Sequence, residues 1–225
     1  MRKLILALFI ILSCASLANS GGIISFPGGG VAGLTCQLYY TNPNFTSADQ
    51  GDGIGRYSAQ DYSGFVYNPT ANVTVCAVDV WIYGVQENTG ISSYEYYIVW
   101  FEFEDTGDTV TSFIANGQSD MFLGSAVKTA NGGYLNVPFS TPFTLDSSKL
   151  YAITGYYDTD KDGVVDEDIT EDLDDYWRFG YDNEAGDSAF EGRTQWAWDA
   201  SIPFEEAAAP DSGDAPGIRI YTMQP

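Results

Sequence analysis

Histidine is absent from this chain of 225 residues, and lysine plus arginine number only 9 against 31 acidic residues. Without histidine there is no Ser-His-Asp or Cys-His nucleophile pair and no His-ligated zinc. The shortage of cations, with a formal charge of −22, argues against nucleic acid or an anionic membrane as partner. The one long apolar run, Leu4 to Leu12, is too short for a membrane span. No segment holds a long helical period. What remains is 44% hydrophobic and 15% aromatic, enough to bury a core, so the chain folds despite its charge.

Residues 1–20 read as a secretory signal: Arg2 and Lys3, an apolar core, and a small-residue cleavage site at Ala18-Asn-Ser20 or Ser16-Leu-Ala18. Cys14 follows a bulky Leu12, a poor lipid-attachment box, which leaves lipidation as the lesser alternative. Cleavage takes the charge from −22 to −24 by removing Arg2 and Lys3. Residues 21–33 are a Gly-rich leader, and residues 34–225 suit one domain. Export leaves Cys36 and Cys76, whose simplest state in an oxidising compartment is a disulfide, with two buried thiols as the alternative.

The sharpest motif is acidic. Asp158, Asp160, Asp162 and Asp166 occupy positions 1, 3, 5 and 9 of a loop with Gly163 at position 6. Alternate carboxylates on a tight loop, with the Val164 carbonyl between them, suit the hard oxygen shell of Ca²⁺. Position 12 is Ile169 rather than glutamate, so Asp168 or Glu171 would complete the shell. The flanks Tyr151–Tyr157 and Tyr176–Tyr181 read as strands, which sets a calcium loop between strands instead of between helices.

Short aromatic and β-branched runs recur between Gly, Asn, Asp and Pro turns. Strands are expected at Val73–Tyr83, Tyr94–Glu104, Asp120–Val127, Tyr134–Val137, Leu150–Tyr157, Tyr176–Tyr181, Thr194–Trp198 and Gly217–Thr222. The stretch Phe204–Gly217 reads as an acidic surface loop. The spacing predicts an all-β fold: an antiparallel β-sandwich of jelly-roll type, one domain, with the acidic loop inserted. The strand Val73–Tyr83, the Phe122–Ser125 segment, the turn Asn131-Gly-Gly133, the run Pro138–Ile153, the aromatic strand Tyr176–Tyr181 and the closing Ile218–Tyr221 come in an order that resembles the bacterial choice-of-anchor domains. The resemblance covers about Tyr57 to Thr222 and implies an exported or cell-surface β-sandwich with no catalytic residues to carry over. This chain departs from the pattern in its acidic insertion and in a tail, Arg219–Pro225, without a sorting signal.

Strict alternation assigns strand faces. Cys76, Val78, Val80 and Ile82 are expected inside, leaving Asp79, Trp81 and Tyr83 outside. Tyr97, Val99, Phe101 and Phe103 are expected inside, leaving Tyr96, Trp100, Glu102 and Glu104 outside. Arg178 is expected outside between Trp177 and Phe179, and Trp196 and Trp198 inside. Rings mixed with charge suit sugars, so the candidate ligand set is Asp79, Trp81, Tyr83, Tyr96, Trp100, Glu102 and Arg178. The expected function is a calcium-stabilised module, secreted or on the cell surface, that binds carbohydrate or a surface protein. Two alternatives stand beside it: a structural matrix or filament protein that self-assembles, and a glycoside hydrolase in which Glu102 and a second acid act as the carboxylate pair.

Overall fold

Among the described residues the β-branched and aromatic runs build fourteen strands, one short α-helix and one 3₁₀ turn. The computed structural model describes residues 34–54, 61–86, 91–103, 115–158, 161, 163, 176–182, 190–199, 202–206 and 215–225. The expected signal and leader, residues 1–33, lie outside them. In chain order the strands are β1 Thr35–Thr41, β2 Gln50–Ile54, β3 Asp61–Tyr67, β4 Val73–Gln86, β5 Glu95–Phe103, β6 Ala115–Gln118, β7 Phe122–Leu123, β8 Gly133–Leu145, β9 Leu150–Asp158, β10 Tyr176–Asp182, β11 Phe190–Asp199, β12 Ile202–Glu206, β13 Ala215–Pro216 and β14 Ile218–Gln224. Helix α1 is Gly124–Ala130.

The strands form two antiparallel sheets. Sheet 1 runs β1-β14-β4-β10-β13, with β8 on the other edge of β4 and β2 beside β10. Sheet 2 runs β12-β11-β3-β9-β5-β6, with β7 beside β5. The chain alternates between the sheets, with β3 in sheet 2, β4 in sheet 1, β5 in sheet 2, β8 in sheet 1 and β9 in sheet 2. One hydrophobic core joins them. Val78, Val80, Ile82, Ile218, Ile220, Trp177 and Phe179 come from sheet 1, and Phe65, Tyr67, Tyr96, Ile98, Trp100, Tyr151 and Ile153 from sheet 2.

Several expectations change. Only Phe122–Leu123 of the Asp120–Val127 stretch pairs as strand, and Gly124–Ala130 turns into helix. A helix of 7 residues, about two turns, is too short to read from apolar spacing, because Val127 alone marks the buried side chain in it. The strand at Tyr134 continues to Leu145 through Pro138 and Pro142. Proline is tolerated there because β8 pairs only with β4 among the described residues and so needs donors on one edge only. The Phe204–Gly217 stretch contributes to β12 and β13 at its two ends rather than forming one loop.

Strand β4 departs from strict alternation twice. The register against β14 skips between Tyr221↔Ala77 and Thr222↔Val75, which makes Cys76 the extra residue of a β-bulge. Val75 and Val78 therefore both reach the core, while Cys76, expected there, packs with Cys36, Ala77, Tyr221 and Met223 on the outer side. The bulge delivers Cys76 to Cys36, and the two form a disulfide with Cα atoms 6.0 Å apart. It joins the terminal strand β1 to the central strand β4 across β14.

Replacing both Cys36 and Cys76 by serine removes a cross-link over 40 residues of separation. The loss of stability in urea unfolding should be about 4 kcal/mol by chain entropy. A change below about 1 kcal/mol would mean that β1 is held by pairing and packing alone.

Candidate functional site

The outer face of sheet 1 is built on aromatic rings that lie across strands where glycine leaves room. Trp81 projects from β4 towards β10 and β14. A Cβ on Gly180 would stand 2.5 Å from Trp81 Cδ1, and one on Gly217 would stand 2.5 Å from Trp81 Cβ and 2.7 Å from Phe45 Cζ. Phe45, from the loop between β1 and β2, meets Trp81 edge-on with centroids 5.3 Å apart, and Tyr134 of β8 meets Trp81 edge-on at 5.0 Å. The backbone follows the same fork. Trp81 N–H donates to the Gly217 carbonyl at 2.8 Å, and Gly217 N–H donates to Gly180 at 2.9 Å. Trp81 is outward, as expected, but half-buried under these rings, so it is a ridge within the face rather than an open platform.

Tyr83 is the open ring. The register of β10 on β4 skips from Arg178↔Gly84 to Phe179↔Ile82, leaving Tyr83 as the extra residue of a second bulge. A bulge re-aims its side chain. The ring reaches across β10 to Gly51 of β2, where a Cβ would stand 2.7 Å from Tyr83 Cδ1 and 2.9 Å from Arg178 Cβ. The Tyr83 hydroxyl donates to the Asp49 carbonyl at 2.8 Å, yet the residue stays 36% exposed. It is an exposed aromatic held at both ends, with Arg178 beside it.

One row further along the face sits a buried carboxylate. Asp79 Oδ1 accepts from Asn136 Nδ2 at 2.6 Å, and Oδ2 accepts from the Tyr221 hydroxyl at 2.7 Å. Arg219 Nη1 stands 3.6 Å from Oδ2, and its guanidinium lies 3.8 Å above the Tyr134 ring. Cross-strand register explains the grouping: Arg219 faces Asp79, which faces Asn136, while Trp81 faces Tyr134. Burial, the hydrogen bond to Asp79 and the Asp79 charge hold the Tyr221 phenol well above its ordinary range, and burial is the first cause for Tyr134 as well.

Three of the expected ligand residues are elsewhere. Tyr96 and Trp100 were expected outward; both are 0% exposed and belong to the core between the sheets. Trp100 meets Tyr67 and Phe143, and Tyr96 meets Trp177 and Phe122. Their alternates Tyr97, Val99 and Phe101 are also buried, so β5 is covered on both faces and alternation cannot tell inside from outside. Glu102 lies at the end of β5 in sheet 2 and pairs with Lys149, whose ammonium it holds above its usual pKa. It therefore does not share a face with Asp79. Glu104 is outside the described residues, and so are the side chains of Phe103, Trp196 and Trp198.

Of the acidic loop, Asp158, Lys161 and Gly163 are described; Asp160, Asp162, Val164, Asp166 and Asp168 are not. Asp158 is fully buried, with Oδ1 accepting from Lys161 N–H at 2.6 Å and Oδ2 from Gly163 N–H at 2.9 Å. Lys161 and Gly163 take φ of 64° and 80°, the left-handed region that glycine enters without penalty. Gln118 Nε2 donates to the Gly163 carbonyl at 2.9 Å, and Lys161 pairs with Glu95 at 3.6 Å, pinning the loop start to β5 and β6. Each Asp158 oxygen keeps a further lone pair after its N–H bond. Among the described residues no three His, Cys, Asp or Glu side chains converge as metal ligands. Neither do these residues include a helix long and apolar enough to cross a membrane.

Tyr134, Asn136 and Phe45 carry no signal in the sequence that places them here. Arg219 and Tyr221 alternate with Ile218 and Ile220 and so read as outward from the sequence, but their meeting with Asp79 required the β14–β4 register. No protein-family model matches the chain, and no curated protein matches it.

The raised Tyr221 pKa sets an alkaline limit. Above pH 10 the unfolded chain releases the Tyr221 proton while the folded chain keeps it, so unfolding gains and stability falls as pH rises. Thermal melts of the wild type and Tyr221→Phe should differ in slope between pH 9 and 11, roughly the window around the free phenol pKa, with the variant flatter. Parallel curves would place the alkaline loss elsewhere.

Proposed function

We propose that this chain is an exported, calcium-stabilised β-sandwich of jelly-roll type that binds carbohydrate on the outer face of sheet 1. The observation that carries the reading is Tyr83: a ring 36% exposed, locked through its hydroxyl, seated over Gly51 and flanked by Arg178. Sugar rings offer C–H faces to an aromatic and hydroxyls to polar groups at its rim, and pre-organisation lowers the cost of binding. The strand order that resembles choice-of-anchor modules, the alternation of the chain between sheets and the Cys36–Cys76 disulfide are consistent with an extracellular module. A glycan array probed in calcium should give binding to the wild type and at least a tenfold loss for Tyr83→Ala, the effect of losing about 1.4 kcal/mol of binding energy. Equal binding by the variant would remove Tyr83 from the site.

Calcium belongs to the same reading. Asp158 would supply the first oxygen and Asp160, Asp162, the Val164 carbonyl, Asp166 and Asp168 the rest. The pinned start of the loop supports this, because it orients Asp158 before any cation arrives. Calcium binding to the folded chain alone stabilises it by mass action. Calcium should therefore raise the melting temperature of the wild type and leave Asp160→Ala unmoved. Asp160 is the better probe than Asp158, whose own N–H bonds make its loss costly without metal. A rise of equal size in Asp160→Ala would refute the loop as the site.

A second reading, structural self-assembly, is favoured by one observation. The terminal strands β8 and β12 carry Pro138, Pro142 and Pro203, and β2 carries Asp52, whereas β1 has neither proline nor charge and leaves Leu38 exposed. Uncharged edges invite strand addition. Glu102 as a glycosidase acid is the weakest of the three readings, because Lys149 neutralises it and its sheet is not the one that carries Tyr83.

A further inference from the structure

We infer that the glycan taken by this face is acidic, a chain of uronate-type sugars with a carboxylate that meets Arg219. The inference rests on the reading of sheet 1 as a glycan-binding surface and names the ligand class for it. Only seven lysines and arginines follow residue 20, and one of them, Arg219, lies over a tyrosine ring on this face.

Arg219 is paired with Tyr134. The guanidinium stacks 3.8 Å over the ring, and its Nη1 lies 3.6 Å from Asp79 Oδ2, beyond ordinary hydrogen-bond length. Both Asp79 oxygens already accept shorter bonds from Asn136 and Tyr221. Asp79 thus holds Arg219 by charge without consuming its fork of donors. The Tyr134 and Tyr221 hydroxyls engage only part of the five N–H groups a guanidinium offers. A planar fork fixed on a ring, with its side chain 36% exposed, suits a carboxylate in bidentate fashion. A neutral hydroxyl would use one donor and leave the fork mismatched.

Tyr83 lies further along the same face, where its ring and the Arg178 Cβ both border Gly51. Asp79 and Tyr83 are four positions apart on β4, about 13 Å at strand rise. The Arg219 cluster and Tyr83 are therefore a few sugar rings apart, with the Phe45–Trp81 ridge between them. Arg219 at one end would take a carboxylate and the Tyr83 ring at the other a sugar face of the same polymer. The overall negative charge opposes a polyanion at long range, but at physiological ionic strength its reach is about 8 Å, so the local arginine decides the contact.

The test is calorimetric titration with trigalacturonate and with the same trimer after carboxyl reduction, at one fixed calcium concentration. The wild type should bind the acidic trimer at least tenfold more tightly, and R219Q should bring the two affinities together. Should R219Q unfold, D79N/R219Q removes both charges of the pair and repeats the comparison. Equal affinities in the wild type, or a preference that survives in both variants, would overturn the acidic-ligand inference while leaving glycan binding standing. Absence of binding to every glycan, neutral or acidic, would instead overturn the glycan reading, and this inference with it.

Discussion

Strand β4 carries sheet 1. It pairs with β8 along one edge and with β14 and then β10, end to end, along the other. Its inner residues Val78, Val80 and Ile82 are fully buried and meet the second sheet, and its outer residues Asp79, Trp81 and Tyr83 build the candidate face. Fourteen residues of pairing tie both functions to one backbone. A slip of one residue would send every core side chain to solvent and the face into the core.

The two bulges on β4 explain why the outer face is not a plain strand surface. Each adds a residue where β10 or β14 has none to match. At Cys76 the extra residue turns a sulfur out of the core to close the disulfide. At Tyr83 it lifts a ring so that it lies over the neighbouring strands. Between them the fork left by β14 and β10 is filled by Trp81 and Phe45 over Gly180 and Gly217. The ridge is therefore structural first. Its rings lie between Tyr83 and the Arg219–Tyr134 pair.

The Asp79 cluster shows the same division of labour. A carboxylate that is 5% exposed would be costly without partners. Neutral donors from β8 and β14 satisfy its oxygens, so the guanidinium above is positioned without being used up. Asp158 is arranged on a similar principle, with backbone N–H groups meeting its inner lone pairs. Both carboxylates are buried and hydrogen-bonded, and both hold something else in place: Arg219 in one case, the first turn of an acidic loop in the other.

The sequence by itself determined the fold class, because β-branched and aromatic runs between turn residues admit strands and little else. It also pointed to the Cys36–Cys76 pair, once residues 1–20 are read as a signal that takes Cys14 away. It placed Asp79, Trp81, Tyr83 and Arg178 on an outer surface, where a period of two reads correctly on a strand covered on one face. Tyr96 and Trp100 defeated the same rule, since β5 is buried on both sides and alternation there carries no direction. Cys76 defeated it because a bulge has no residue code of its own. The company of Asp79, the seat of Tyr83 on Gly51 and the stacking of Arg219 on Tyr134 join residues up to 142 positions apart. Those meetings depend on strand order and register, which come from packing one sheet against the other, and so only the tertiary structure could decide them.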